Sequence, residues 1–248
     1  MIEIRGLTKQ YGSGRGILEL SFTVSRGEIV GLLGPNGAGK TTTLGAIAGI
    51  TRPSAGDIFV GGFDLLNDPV RAKRTLAYVS DEPRLFDELT VGEHLTFFAR
   101  VYGTPDGVQR GHAMLEANGL SARLDAFPAQ LSRGMVQTVS VVCALLHRPT
   151  ALVLDEPLTG LDPMGMRRMR QTMIDAAAEG TAVLLSSHLL PLVESLCHRL
   201  VVMNRGRRVA QGTLADIRAA SRSAEGTSLE DVFVTLTQES DQAAASTR

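Results

Sequence analysis

Nine residues, "GPNGAGKTT" from Gly34 to Thr42, constrain this chain more than any other feature. They satisfy the spacing G-x-x-x-x-G-K-[ST] at Gly34, Gly39, Lys40 and Thr41. The flanks are those the motif requires. "GEIVGLL" ahead of it is a short apolar run of the buried-strand type, and a helix is expected to begin near Gly39. Glycines at 34, 37 and 39 let the backbone wrap an anion and take positive φ without a Cβ clash. Successive N–H groups and the helix N-terminus then face phosphates. Lys40 is placed to reach the β- and γ-phosphates, and Thr41 offers a hydroxyl to Mg²⁺. The competing reading, a glycine-rich turn that binds nothing, does not account for strand, loop, helix and the GKT together.

The remaining chain reads as strands alternating with helices, which implies a mostly parallel sheet. "ILELSFTV" alternates, with Leu18, Leu20, Phe22 and Val24 expected on one buried face. "GDIFVGGFDL" reads as a hairpin on Gly61-Gly62, and "RLVVMNRGRRVAQG" as one on Arg205-Gly206. "TLAYVS", "ALVLDEP" and "TAVLLSSH" are further strands, and "PLVESLCH" a helix. Between about residues 84 and 140 the pattern turns helical. Thr90 and Glu93 form a capping box ahead of a helix with Leu95, Phe98 and Val101 on one face. A second helix ends at Asn118-Gly119, and a third starts at Ser132, with Val136, Val139, Cys143 and Leu146 on one side. Asp162 as N-cap and Pro163 in the first turn open another helix, which stops near Gly180. The expected organisation is one nucleotide-binding domain over residues 1–220 with the helical part inserted, then residues 221–248 as a short helix capped by Ser228 and Asp231 and a disordered tail, "SDQAAASTR".

Composition excludes several classes. With 25 Lys and Arg against 26 Asp and Glu, the net charge of -1 argues against a nucleic-acid binder that works by phosphate neutralisation. The segment "MIEIRGLTKQYG" is charged and has no signal-peptide h-region, and the longest apolar runs fall short of the ~20 residues that span a bilayer. Cys143 and Cys197, the two cysteines, sit in apolar helical surroundings and read as core thiols rather than a disulfide or metal site. A soluble cytoplasmic protein is expected.

Two further groups fall at predicted strand ends, where ligands of parallel sheets sit. Asp155 and Glu156 close "LVLDEP": Asp155 is placed to hold Mg²⁺ through water, and Glu156 to orient or deprotonate an attacking water. Alone, such a pair is ordinary loop polarity; the phosphate loop makes it specific. His188 follows "AVLLSS" and is either a satisfied surface histidine or a group facing the γ-phosphate. "QLSRGMVQ" places Ser132 and Gly134 at a helix start, where a hydroxyl and free N–H groups suit an anion.

In this order the motifs resemble the nucleotide-binding subunit of an ATP-binding cassette transporter over nearly the whole chain. "LTKQYG" resembles the aromatic loop, "GPNGAGKTT" Walker A, "LSRGMVQ" the signature, "LVLDEP" Walker B, "GLDP" the D-loop and "SSH" the switch histidine. The resemblance implies a P-loop NTPase core with an N-terminal antiparallel β portion and an inserted helical subdomain. It implies that Tyr11 stacks on adenine and that Gly34, Pro35, Asn36, Gly37, Ala38, Gly39, Lys40, Thr41 and Thr42 hold ATP. Glu156 and His188 would be catalytic, with His188 on the γ-phosphate. Thr41 and Asp155 would hold Mg²⁺, joined by Asp81. Two such subunits pack head to tail in this family, so Ser132, Gly134 and Asp162 would contact ATP bound by a second copy.

Three residues depart from the family pattern: Arg133, Asp81, and Met135, which stands at a usual glutamine. Arg133 stands at a usual glycine, in a form resembling exporters with separate drug- or lipid-type permeases; it either faces solvent or adds positive charge near the triphosphate. Asp81 stands in "AYVSDEP" where the family has a glutamine that touches Mg²⁺ and senses the permease. The expected function is therefore an ATPase subunit of an exporter, on the inner face of the membrane through a separate integral permease, with no nucleic-acid partner. The surface around Asp81 to Glu93 is where a permease helix would dock. A soluble cassette ATPase acting on ribosomes or nucleic acid is the alternative; such proteins usually have two cassettes or coiled-coil arms and basic surfaces, which this sequence lacks.

Overall fold

Five consecutive buried residues, Ile29–Leu33, form β3, and their side chains alternate between two cores. Val30 and Leu32 face a cluster shared with the N-terminal strands, whereas Ile29 and Leu33 face one shared with the later helices. A strand buried on both sides must read as a continuous apolar run, as this one does. It lies inside a six-stranded sheet of order β10-β9-β3-β8-β7-β6, formed with β6 (Leu76–Val79), β7 (Ala151–Leu154), β8 (Ala182–Ser186), β9 (Arg199–Asn204) and β10 (Arg207–Gly212). Every pairing from β9 to β6 is parallel, and β10 closes the far side antiparallel. The computed structural model describes residues 1–12, 16–221 and 227–246.

A second sheet, antiparallel and of order β2-β1-β4-β5, packs over one core and comprises β1 (Ile2–Gln10), β2 (Gly16–Val24), β4 (Ala55–Val60) and β5 (Phe63–Asp64). The expected α/β class with an antiparallel N-terminal portion is therefore observed. Both expected hairpins are present. Gly61 and Gly62 take φ of 61° and 88°, and Arg205 and Gly206 take 47° and 78°, the paired positive values of a tight primed turn. The alternation read in β2 needs correction. Glu19 sits at φ 51° and the register with β1 shifts, so Ile17 rather than Leu18 joins Leu20, Phe22 and Val24 in the core. An extra residue in one strand flips the faces beyond it. β1 was not legible by alternation for a related reason: its register slips between Ile4 and Leu7, beside Gly6 at φ 57°.

The helical insertion lies between β6 and β7 and consists of α3 (Val91–Tyr102), α4 (Gly107–Ala117) and α5 (Arg133–Leu145), with a core of its own around Leu95, Leu115, Val139 and Leu146. The Thr90–Glu93 capping box is formed in full. Val101, expected on the buried face of α3, is exposed. It lies six residues past Leu95, about 120° round from it on a 3.6-residue helix. Outside the insertion, α1 (Lys40–Ile47) follows the glycine-rich loop, α2 (Pro69–Arg74) precedes β6, and α6 (Pro163–Ala178) begins on Asp162, whose Oδ1 accepts the Gly165 N–H at 2.7 Å. α7 (Leu190–Leu196) precedes β9, and α8 (Leu214–Ala220) follows β10.

The C-terminal expectation is also corrected. α9 runs over Leu229–Ser246, so residues 240–246 are helical rather than disordered, while 247–248 lie outside the described residues. Leu229, Val232 and Leu236 anchor α9 in the main core, and the alanines that follow have the highest helix propensity of any residue. Asn204 on β9 donates to both the Thr237 carbonyl and the Asp241 carboxylate, tying α9 to the sheet.

The insertion stands on a small core, so it is sensitive to truncation. Leu95→Ala, at a fully buried position, is expected to cost about 2–5 kcal/mol in a urea titration. A loss under about 1 kcal/mol would mean that the α3 packing contributes little.

Candidate functional site

Three parallel strands of the sheet, β3, β8 and β7, release their chains at the same edge, and each exit carries a residue singled out from sequence. β3 leads into the loop Gly34–Gly39, β8 ends at Ser186 before His188, and β7 ends just before Asp155. The adjacent edge strand, β6, ends two residues before Asp81. Neighbouring strands are ~4.8 Å apart, so the exits form one row.

The loop has the shape expected of an anion cradle. Gly37 and Gly39 have φ of 81° and 105°, and a Cβ on Gly34 would lie 2.6 Å from the Met203 carbonyl oxygen of β9. The Arg205–Gly206 turn supports the loop from beneath, because the Gly206 N–H donates to the Ala38 carbonyl at 3.0 Å. Lys40 Nζ folds back to donate to the Gly34 and Pro35 carbonyls at 2.7 and 3.3 Å. The ammonium therefore sits at the mouth of the loop, beside the row of N–H groups. Burial lowers the Lys40 pKa from its usual value, and the nearby Glu156 and Asp155 carboxylates act in the opposite sense. An open cleft of about 370 Å³ is lined by Tyr11, Asn36, Lys40, Thr41 and Thr42 together with loop glycines. Tyr11 is exposed, with the Lys9 ammonium 5.3 Å above its ring.

The carboxylates are held by one buried hydroxyl. Ser186 Oγ donates to Asp155 Oδ1 at 2.5 Å and accepts the Glu156 N–H at 3.0 Å. Asp155 is 4% exposed and Ser186 is fully buried. Glu156 takes a left-handed φ of 50°, a conformation costly for a residue with a Cβ. The bend turns its carboxylate towards the β8 exit. There Glu156 Oε2 lies 2.9 Å from His188 Nδ1 and accepts the His188 N–H at 3.3 Å. An ionised Glu156 carboxylate can only accept, so Nδ1 carries the proton of that hydrogen bond. Sequence reasoning missed Ser186. Its signal was the serine two residues before His188, read only as part of a motif.

Asp155, Glu156 and His188 follow neighbouring strands but are not among the residues that line the cleft at the glycine loop, and Ser132, Gly134, Asp162 and Asp81 also lie outside it. Ser132 caps α5 by accepting the Met135 N–H, and Asp162 caps α6. Ser132, Gly134 and Asp162 share a second cleft of about 280 Å³, together with Gly160 and Gly165. No residue lines both clefts. The two helix N-termini here, with Ser132 exposed, give free N–H groups and a favourable field for an anion. Asp81 reaches neither cleft lining; its carboxylate is engaged by Arg133 Nη2 at 3.1 Å.

The residues fit a nucleoside triphosphate with a divalent cation: a positive-φ glycine loop, a lysine, a threonine at the helix start and a buried aspartate facing them. Among the described residues no group of three or more His, Cys, Asp or Glu could by itself hold a metal.

Comparison with known proteins agrees with this geometry. The family model described as ABC transporter matches residues 17–159. The chain is 34% identical over 241 residues to the ABC-type transporter ATP-binding protein EcsA of Bacillus subtilis, covering 96% of this chain and 97% of that protein. It is 38% identical to the Nod factor export ATP-binding protein I of Ralstonia nicotianae, over 86% of this chain and 67% of that protein. A solved ATP-binding subunit of an ABC transporter superposes with a TM-score of 0.90 at 38% identity, covering 96% and 99% of the two chains. The fold is also that of the dimeric cassette MJ0796 solved with ADP and Pi, with a TM-score of 0.78, 21% identity and coverage of 86% and 99%. The alternative of a soluble cassette acting on ribosomes or nucleic acid is not favoured by these relatives. The phosphate loop, the Walker B carboxylates and these likenesses lead to one conclusion: the chain belongs to the ABC transporter family, as an ATP-binding, ATP-hydrolysing subunit.

Proposed function

We propose that the chain hydrolyses ATP in a site completed by a second copy of itself, and that the resulting motion drives export through a separate integral membrane permease. The observation that carries the two-chain reading is the pair of separate clefts. The phosphate loop lines one, Ser132, Gly134 and Asp162 line the other, and no residue is common to both. Head-to-tail pairing of two copies would bring each loop against the other copy's second cleft and complete two equivalent sites.

In the first cleft Tyr11 stacks on adenine, a contact worth about 1–3 kcal/mol. Gly34 to Gly39 wrap the phosphates, with Pro35, Asn36 and Ala38 giving backbone groups, and Thr42 continues the helix start beside Thr41. Lys40 exchanges its two carbonyl acceptors for phosphate oxygens. Thr41 and Asp155 hold magnesium, which when bound neutralises charge on the phosphates. Glu156 accepts the proton of a water attacking the γ-phosphorus. His188, held through Nδ1 by Glu156, faces the γ-phosphate with Nε2 and donates to it when both ring nitrogens carry protons. The partner copy supplies the Ser132 hydroxyl and Gly134 N–H to the same phosphate, with Asp162 beside them.

The permease reading is supported by an exposed apolar face. Phe86, Phe97 and Val101 are 47%, 40% and 61% exposed, and they lie along and beside α3. Among the described residues no helix is long and apolar enough to cross a membrane, so the span would come from the permease. The chain would then sit peripherally on the cytoplasmic face. Export follows from the likeness to relatives named for export.

Three substitutions test the site. Lys40→Ala removes the main cation on the phosphates and is expected to weaken ATP binding by about 10–100-fold in a calorimetric titration. Unchanged affinity would contradict the loop assignment. Glu156→Gln should lower turnover by about 10²–10⁴-fold and accumulate an ATP-bound dimer on size exclusion; a monomeric, fully active variant would rule out the base. Ser132→Arg should abolish hydrolysis while leaving ATP binding to isolated chains intact, and loss of both would undo the two-chain arrangement.

A further inference from the structure

We propose that Asp81 and Arg133 form a positioning pair that sets the angle of the α5 start, so that Asp81 acts on hydrolysis through its own chain's Ser132 and Gly134 rather than as a magnesium ligand. The inference deepens the two-chain reading above and rests on it. Arg133 Nη2 donates to Asp81 Oδ1 at 3.1 Å across 52 residues of sequence. Those residues carry α3 and α4 of the helical insertion: Asp81 lies two positions beyond the end of β6, and Arg133 is the first residue of α5. The pair therefore joins the place where the chain leaves the sheet to the helix that carries the second cleft.

The path of the Arg133 side chain makes the contact directional. It passes over Gly160, where an added Cβ would lie 3.2 Å from Arg133 Cδ. Gly160 has a φ of 79°, so the loop presents a bare backbone to that side chain. One residue on, a Cβ at Gly134 would lie 2.8 Å from the Gly160 carbonyl oxygen. The first turn of α5 thus lies flush on the loop that leads to Asp162, and the Arg133–Asp81 ion pair holds it there from outside. Rotation of the insertion against the sheet moves Ser132 and Gly134 and must stretch this ion pair. Two of the departures from the family pattern are thus paired: the charge at position 81 is matched by the charge at position 133.

Both side chains are about half exposed, at 46% and 52%, so the pair is a modest, screened contact and the variants should fold. The test is a double-mutant cycle with Asp81→Asn and Arg133→Gln, read by steady-state ATPase at low and high salt, by ATP affinity of isolated chains and by the Mg²⁺ concentration for half-maximal rate. Each single variant is expected to lower kcat by about 2–5-fold at low salt, with less effect at high salt. The double variant should be no worse than either single, and ATP affinity and Mg²⁺ requirement should stay at wild-type values. Losses that multiply in the double variant would overturn the proposal. So would an Mg²⁺ requirement raised about tenfold by Asp81→Asn alone, which returns Asp81 to the metal. A loss in Arg133→Gln with none in Asp81→Asn would also overturn it, by assigning Arg133 to the partner's phosphate. If Ser132→Arg retains hydrolysis, the two-chain reading itself fails. If Ser132→Arg is inactive and the cycle shows no coupling, only the positioning pair fails.

Discussion

The site depends on parallel pairing of β3, β8 and β7, with β6 beyond them. Parallel strands all end at the same edge, so one sheet aligns a phosphate loop, a histidine, two carboxylates and Asp81 without any of them being adjacent in sequence. The register is kept by side chains that alternate between two apolar cores; a slip of one residue in any of these strands would exchange its faces. Burial of the strands and alignment of the chemistry are therefore the same constraint. The β9 strand and its Arg205–Gly206 turn extend it, by closing against the phosphate loop where Gly34 has no room for a side chain.

Within that frame the polar groups are satisfied by one another. Ser186 joins the two carboxylate residues, accepting from the backbone of one and donating to the side chain of the other. Glu156 in turn holds His188 by ring and backbone. A buried carboxylate such as Asp155 would be costly without such a donor, and its charge is one reason the half-buried Lys40 ammonium is tolerated. This network fixes Asp155, Glu156 and His188 relative to one another. The left-handed backbone at Glu156 is the local strain accepted for aiming its carboxylate.

Much of this was legible from residues alone, and the exceptions have physical causes. The glycine loop, the capping box at Thr90, the cap at Asp162 and both hairpin turns are local features, each decided by a few neighbouring residues, and each appears in the structure. Alternation misled at Leu18 because a positive-φ residue at Glu19 changes the count, which no period-two pattern can register. The tail reads as disordered because chain termini usually are unless something ties them down. Anchoring of α9 by Leu229, Val232 and Asn204 lets an alanine-rich segment remain helical to Ser246. Helices of this kind are stabilised by packing more than by propensity.

By itself the sequence determined the local features: a glycine loop of anion-binding form, two carboxylates that follow a strand, and a lysine and threonine that open a helix. These follow from spacing within a dozen residues, where the chain's own covalent geometry sets the outcome. Only the tertiary structure decided which distant residues meet. Ser186 under Asp155, His188 on Glu156 and Arg133 on Asp81 are separated by 31, 32 and 52 residues, and such contacts depend on strand order and on how the insertion docks. It also decided that Ser132 and Gly134 lie in a different cleft from Lys40, because the start of α5 packs beside the start of α6, at Gly160 to Gly165, and not beside the glycine loop.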